Sequence, residues 1–489
     1  MNQLVKRISS LKYRHLILSV FLLFITVRSI SLGTDISNSD AARWHRRSER
    51  FLEGLKNFDL SQTYQHYQPG VSLMWLNAPI RQFIYMYQRS TGSLAGIQPI
   101  WYPFLHGISK FALVLVLGAL FLIQMSLIRN LYNDQTSLMY GVLLALEPYM
   151  IGIDRWFHLT SLEVYFGFTA FLLFILGLKL SSTRFVQFSA GVYSLSVLSK
   201  FTSLLVFPLY LYLIIKKTQR PKFYLFNFVL IFSLVFIALF PAVLTNWHDI
   251  IPKLLSVGAS VATDTIRSEG TPIPFVFYYP VVLLFKLSVI TLVMFLISLG
   301  NIKILFGKFK SNIYIAYYIA FYFVFLTVLQ QKIDRYSLVF IPPLILLVSS
   351  YVSLTPAIFK KSFVLLAMLF FLTISYIHFP VYSGYNSPLF GGTAGAIHLG
   401  IYDNSGEYFA QAAEFTNEYH NVTVYVPDNI ESFNVYSTNR TTSESKDTAD
   451  ILVKSLDIDR SSIDSGACNV KIGEFGPKDY KVVFAYKCN

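Results

Sequence analysis

About eleven apolar runs recur along the 489-residue chain, most of them close to the roughly 17–25 residues that a helix needs to cross a bilayer. A segment inside a bilayer must pair all of its own backbone groups, so each run predicts an α-helix. Only 14% of the residues are charged, against about a quarter in a soluble domain. The runs 184–199 and 201–216 could be divided differently. The predicted spans are 15–33, 108–128, 136–152, 161–180, 184–199, 201–216, 223–244, 278–299, 312–330, 337–352 and 362–380.

Basic residues in the short loops predict how the chain crosses the membrane. With the N-terminus in the cytoplasm, Asp134 is the single acid in the cytoplasmic loops. The first run follows basic residues, as in a signal peptide, but lacks a convincing cleavage site and is interpreted as an uncleaved helix. The segments 34–107, 246–277 and 381–489 then lie outside. The predicted cytoplasmic cations are Arg129, Lys179, Arg184, Lys216, Lys217, Arg220, Lys222, Lys303, Lys308, Lys310, Lys360 and Lys361.

The net charge of +13 does not indicate nucleic-acid binding. Residues 381–489 are net acidic, and much of the positive charge lies in the short loops between apolar runs. Such a distribution reports membrane topology. We therefore predict a membrane protein without a nucleic-acid partner.

Residues 381–489 predict a small α/β domain outside the cytoplasm. A helical pattern lies near 404–420, and 422–426 and 481–486 are rich in strand formers. The domain also holds both cysteines of the chain. In an oxidising compartment Cys468 and Cys488 would form a disulfide; the alternative is two unpaired thiols.

The first outer loop, 34–107, contains a predicted amphipathic helix on the membrane surface. Trp44, Phe51 and Leu55 share one face, while arginines take other positions. Asn38 or Ser39 is the predicted cap, which places Asp40 in the first turn. A second apolar stretch, 70–87, predicts a half-buried or re-entrant helix.

Ionisable residues gather at the outer ends of several spans. Such groups at membrane depth are costly, so a same-side cluster is a hypothesis of function. A carboxylate can remove a hydroxyl proton, and nearby cations can stabilise a phosphate leaving group. Sugar transfer from a lipid phosphate fits, although a flippase or anion transporter could use the same charges. The cluster comprises Asp35, Asp40, Asp154, Arg155, His158, Lys200, Lys332, Asp334, Arg335 and Tyr336.

Five motifs in order resemble the GT-C glycosyltransferases of the dolichyl-phosphate-mannose–protein mannosyltransferase type (glycosyltransferase family 39), in particular bacterial members. The resemblance covers most of the chain and implies a transmembrane catalytic domain over 1–380 and an outer domain over 381–489. The motifs are SDAARWHRRSERFLEGLKNFDLSQTYQHYQPGVSLMW (39–75), ALEPYMIGIDRWFHLTSL (145–162), SVLSKFTSLLVFP (196–208), KIDRYSLVFIPPL (332–344) and YNSPLFGGTAGA (385–396), the last followed by Ser405-Gly406-Glu407.

The resemblance implies an enzyme that moves a hexose, of the mannose type, from a polyprenyl-phosphate lipid to an acceptor hydroxyl with inversion. Asp40 falls on the family's catalytic aspartate and is the implied general base, with Asp35 as the rival. The acceptor would be a protein, a glycolipid or a polysaccharide. The implied phosphate-binding residues are Arg155, Lys332 and Arg335. The implied substrate contacts are His158, Gln68, Tyr336 and Lys200, where Lys200 could instead be structural.

Three positions depart from the family pattern. Ala41 replaces an acidic residue, Gln68 replaces the histidine of a His-Pro-Gly element, and Thr160 replaces a common aspartate. These losses remove ligands for a divalent cation, so we predict no metal site and no certain cofactor. They also allow a non-catalytic relative of the family. A lipid-linked sugar transporter or flippase is the other alternative, because it could use the same charges. The bacterial-type tail favours the plasma membrane.

Overall fold

The computed structural model describes residues 2–91, 102–263, 271–443, 449–456 and 468–488, so part of the first outer loop, 92–101, lies outside them. Helices dominate this part of the chain. They are α1 Asn2–Ser29, α2 Ala41–Lys56, α3 Val71–Ser90, α4 Tyr102–Leu131, α5 Asp134–Leu146, α6 Pro148–Asp154, α7 Leu159–Leu180, α8 Thr183–Ser199, α9 Phe207–Lys217, α10 Pro221–Leu239, α11 Ala242–Thr245, α12 Trp247–Thr263, α13 Tyr278–Lys286, α14 Val289–Gly300, α15 Ile302–Lys308, α16 Asn312–Val328, α17 Ile341–Val352, α18 Ala357–His378, α19 Gly392–His398, α20 Phe409–Thr416 and α21 Ile430–Asn434. Short 3-10 helices cover Leu60–Thr63, Phe201–Val206, Phe275–Phe277, Asp334–Phe340, Tyr382–Gly384 and Pro388–Phe390.

Among the described residues, five helices are long and apolar enough to cross a membrane, or up to seven if each of two bent pairs counts as one span. This is fewer than the predicted count, because several apolar runs form shorter or broken helices. The run 201–216, for example, starts as a 3-10 helix and continues as the short α9. The helices α5 and α6 meet at 68°, where Pro148 opens α6; proline disfavours helical geometry in the residue before it.

The surface helix α2 forms as its pattern predicts. Trp44 and Phe51 are buried beneath it, whereas Arg46 and Arg50 are exposed. Its cap differs from the prediction, because Asp40 itself is the N-cap residue and its side chain makes no capping hydrogen bond. An N-cap carboxylate ordinarily accepts from the first-turn N–H groups, so Asp40 is left available for other partners.

The C-terminal domain contains a five-stranded sheet in the order β2-β1-β3-β5-β4. The strand β1 pairs in parallel with β2 and β3, while β5 lies antiparallel between β3 and β4. A disulfide joins Cys468 to Cys488, next to β4 and β5. The strands are β1 Thr423–Tyr425, β2 Arg440–Thr442, β3 Ile451–Ser455, β4 Val470–Phe475 and β5 Val483–Lys487.

This domain packs directly on the first outer loop. The Tyr436 hydroxyl donates to the Gly33 carbonyl oxygen at 2.7 Å, and the Ser39 N–H donates to the Ser405 carbonyl oxygen at 2.9 Å. The second bond lies one residue before Asp40. The C-terminal domain therefore helps to fix the backbone at the start of α2.

Candidate active site

Asp40 immediately precedes helix α2, and its partner, His158, immediately precedes helix α7. The His158 Nε2 atom is 3.5 Å from an Asp40 carboxylate oxygen. His158 is buried, whereas the Asp40 side chain keeps 28% of its surface exposed. One carboxylate thus contacts both a buried histidine and solvent.

Thr160 determines which nitrogen of His158 carries the proton. The His158 Nδ1 atom accepts the Thr160 backbone N–H at 3.3 Å and lies 2.9 Å from the Thr160 hydroxyl. Because Nδ1 is occupied as an acceptor, the proton of the neutral ring is on Nε2 and points toward Asp40. The threonine that departs from the family pattern is therefore the residue that orients this histidine.

The two ionisable groups are held in opposite protonation states. Burial lowers the pKa of His158 to about 4, although the hydrogen bond to Asp40 opposes this shift. Burial alone would raise the pKa of the Asp40 carboxyl, but His158 and the charges of Arg335 and Arg43 outweigh it and hold that pKa well below its usual range. At neutral pH the pair is a neutral imidazole beside an ionised carboxylate.

A cavity of about 180 Å³ surrounds this pair. It brings together six of the predicted site residues from five separate segments, together with six residues that the sequence analysis did not assign to the site. The predicted residues that line it are Asp40, Gln68, His158, Lys200, Arg335 and Tyr336. The others are Arg43, Trp44, Arg47, His66, Tyr67 and Leu159.

The cations of the cavity are only partly neutralised. Arg47 stacks over the Trp44 ring at 4.4 Å, and no carboxylate oxygen in the described part of the chain lies within 4 Å of it. Arg335 donates to the Ser405 hydroxyl at 3.0 Å. Lys200 lies 3.6 Å from a carboxylate oxygen of Glu163. The residues that line the cavity therefore include four cations and one carboxylate, and two of the cations, Arg43 and Lys200, also pair with Glu431 and Glu163 outside the lining. Arg47 has no such partner among the described residues and is available to an anionic ligand.

The glutamine and glycine of the Gln68-Pro69-Gly70 element position the wall of the cavity. The Gln68 side-chain oxygen accepts the Phe201 N–H at 3.2 Å, next to Lys200. Gly70 has φ +58°, and a Cβ there would lie 2.2 Å from the Trp44 ring. Glycine is thus required both by the backbone conformation and by the close approach of α2.

Arg155 and Lys332 do not line the cavity. Arg155 is buried and donates to Asp35 at 2.9 Å. The Lys332 ammonium donates to three backbone carbonyl oxygens at the C-terminal end of α16, at 2.7–2.9 Å, and burial lowers its pKa to about 8. In this structure both cations contact groups of the fold rather than the cavity, and their role in binding phosphate stays a prediction.

Asp35, the rival base, is enclosed. Its two carboxylate oxygens accept from Lys110 at 2.6 Å and from Arg155, and none of the three side chains is more than 1% exposed. A base must reach the proton that it removes. Asp40 has that access and Asp35 does not.

The donor set does not fit a divalent cation. In the described ranges no three His, Cys, Asp or Glu side chains converge in a way that would hold a metal ion. Asp40 is moreover surrounded by arginines, which repel a cation.

An apolar groove of about 320 Å³ lies below the cavity. Helix α7 connects the two, because Leu159 lines the cavity while Leu162 and Phe166 line the groove. The separation is one to two helical turns, about 5–10 Å. Its remaining lining residues are Ser72, Trp75, Leu76, Val116, Leu195 and Leu239.

This combination of a bundle of apolar helices, an amphipathic helix that begins next to Asp40 and a small C-terminal sheet domain has the fold of the GT-C glycosyltransferases, which confirms the predicted fold class. The chain is similar to ArnT from Cupriavidus metallidurans in its apo state, with 13% identity, 98% of each chain covered and a TM-score of 0.55. ArnT bound to undecaprenyl phosphate gives 12% identity, covers 97% of this chain and 98% of that one, and has a TM-score of 0.54.

A third similar structure is the archaeal oligosaccharyltransferase AglB from Archaeoglobus fulgidus, in complex with an inhibitory peptide and a dolichol-phosphate. It has 9% identity and a TM-score of 0.51, and the match covers 91% of this chain and 70% of that one. No family model and no curated protein sequence matches the chain. At these identities the likeness establishes the fold.

Proposed function

We propose that this chain is a membrane glycosyltransferase that moves a sugar from a polyprenyl-phosphate donor to an acceptor hydroxyl, with Asp40 as the general base. The observation that carries the proposal is the uncapped Asp40 carboxylate, which contacts neutral His158 inside a cation-rich cavity. The similar ArnT and AglB structures contain undecaprenyl phosphate and dolichol-phosphate.

The donor would occupy both compartments. Its phosphate would lie near Lys200 and Arg335, because these cations line the cavity whereas Arg155 and Lys332 do not. Its hydrocarbon chain would lie in the apolar groove beside Leu162 and Phe166. Cations near the glycosidic oxygen stabilise the charge that develops on the leaving phosphate.

The proposed reaction is a single displacement. The acceptor oxygen attacks the anomeric carbon on the face opposite the phosphate, and the phosphate leaves with the bonding electrons, so the configuration inverts. Asp40 takes the hydroxyl proton as the new bond forms. The low pKa of Asp40 keeps it ionised, and the acceptor proton becomes acidic enough for this base only as the oxygen bonds to carbon.

Substrate and location remain as the family resemblance implies. The transferred sugar is proposed to be of the mannose type, and the acceptor to be a protein, a glycolipid or a polysaccharide. The site is proposed to face outward from a bacterial plasma membrane, with the N-terminus in the cytoplasm.

The test is sugar transfer by purified protein, measured as release of polyprenyl phosphate from polyprenyl-phosphate mannose. Asp40→Asn should reduce the rate by at least about 100-fold, the lower end for loss of a general base. Glu53→Gln, which removes a carboxylate from the same helix outside the cavity, should retain activity. Full activity in Asp40→Asn would refute the assignment, and an inactive wild-type protein on a range of polyprenyl donors would favour a non-catalytic relative.

A further inference from the structure

A second cavity, of about 380 Å³, lies at the other end of helix α7 from Asp40. It forms where α7 ends and α8 begins, beside the connection from α9 to α10. Helix α7 has 22 residues, so the two cavities are separated by about 30 Å. The lining residues are Gly177, Leu178, Ser181, Thr183, Lys217, Thr218, Gln219, Arg220, Phe223 and Tyr224.

The charge around this cavity is positive and not neutralised. Lys217 and Arg220 line it, and within the described ranges no carboxylate oxygen lies within 4 Å of either side chain. The sequence explains this, because there is no acidic residue between Glu163 and Asp249. An anionic group in the cavity would therefore meet attraction without a competing carboxylate.

The cavity also presents neutral hydrogen-bond donors. The N-cap residues of α8 and α10, Ser182 and Arg220, make no side-chain capping bonds, so first-turn N–H groups of both helices lack the usual cap. The hydroxyl-bearing residues Ser181 and Thr183 line the same space. Cations, hydroxyls and uncapped helix starts together suit a phosphate oxygen cluster.

The surroundings of the cavity favour a lipid over a soluble phosphate. Phe223 lines the cavity and is 51% exposed, and Phe226, on the next turn of α10, is 65% exposed. Only 6% of the apolar window of α10 is buried inside the protein. Acyl chains would therefore run along α10 while the headgroup occupies the cavity.

We propose that this cavity binds the phosphodiester headgroup of an anionic phospholipid, in the leaflet opposite to the one that Asp40 faces. The bound lipid would add to the hydrogen bond that already connects the α7–α8 and α9–α10 turns, in which the Tyr224 hydroxyl donates to the Ser181 carbonyl oxygen at 3.1 Å. The site is independent of the proposed sugar transfer, because no residue is shared between the two cavities.

The test is native mass spectrometry of the full-length protein after exchange into micelles containing equal amounts of phosphatidylglycerol and phosphatidylcholine. The wild-type protein should retain phosphatidylglycerol preferentially. The double variant Lys217→Ser, Arg220→Ser should retain it about 30-fold less, from the loss of two cations near the membrane surface. The control Lys303→Ser, Lys308→Ser removes the same charge from α15, away from the cavity, and should behave like the wild type.

Three outcomes would overturn the proposal. These are equal retention of the two lipids, equal loss in the variant and its control, and protection against thermal unfolding by inorganic phosphate that matches protection by phosphatidylglycerol. The last would assign the cavity to a soluble phosphate compound. Single Arg220→Gln provides a milder variant in case the double substitution disturbs folding, and it should retain an intermediate amount.

Discussion

The first prediction tests whether Asp35 is a structural residue that neutralises two buried cations near the proposed active site. Its carboxylate accepts from Lys110 at 2.6 Å and from Arg155 at 2.9 Å, and all three side chains are at most 1% exposed. Asp35→Asn would leave two buried cations facing a neutral amide. Removing one partner of a buried ion pair costs about 3–5 kcal/mol, and here a single carboxylate serves two cations.

The measurement is the free energy of unfolding in mixed micelles, with unfolding monitored by circular dichroism. Asp35→Asn should lose about 3–5 kcal/mol, and Asp40→Asn, whose side chain is 28% exposed, should lose less. Adding Lys110→Met to Asp35→Asn should restore part of the loss, since it removes one uncompensated cation. Equal stability of Asp35→Asn and the wild type would refute the view that Asp35 is structural.

Two further predictions concern acid and packing. Burial keeps the pKa of His66 and His158 at about 4, so below pH 6.5 the unfolded chain binds more protons than the folded protein, and the free energy of unfolding should fall as the pH drops from about 6.5 to 4. In His158→Gln the free energy of unfolding should fall less steeply with pH, and an unchanged slope would contradict the assignment. Gly70→Ala should destabilise the protein and reduce sugar transfer, because a Cβ would lie 2.2 Å from the Trp44 ring. A Gly70→Ala variant with the melting temperature and activity of the wild type would contradict this prediction and show that α2 can move aside.

The sequence predicted the class of fold because that class depends on local patterns. The apolar runs determine the helices, and the apolar face with Trp44 and Phe51 determines α2. The number of spans was predicted less well, because composition alone does not show where a run breaks. The 3-10 helix 201–206 and the bend at Pro148 arise from backbone geometry and packing.

The partners of the charged residues could not be predicted from order along the chain. Arg155 and Arg335 both follow spans at the outer face, yet Arg155 pairs with Asp35 whereas Arg335 lines the cavity. The arginines of α2 were predicted only to lie off its apolar face, and the structure places Arg43 and Arg47 in the cavity wall. The motif indicated Asp40, but only the structure shows that its side chain makes no capping hydrogen bond to α2.

The contact of Ser405 with both Arg335 and the backbone at Ser39 has a consequence for the evolution of such chains. One loop of the C-terminal domain contacts an arginine of the cavity wall and the start of α2, so this domain contributes to the position of the proposed reaction centre. A recombination event that exchanged the C-terminal domain would have to introduce a domain with a hydroxyl in place of Ser405, so that the bond from Arg335 is kept. Acceptor preference in this architecture should therefore change by substitution within the tail more readily than by wholesale replacement.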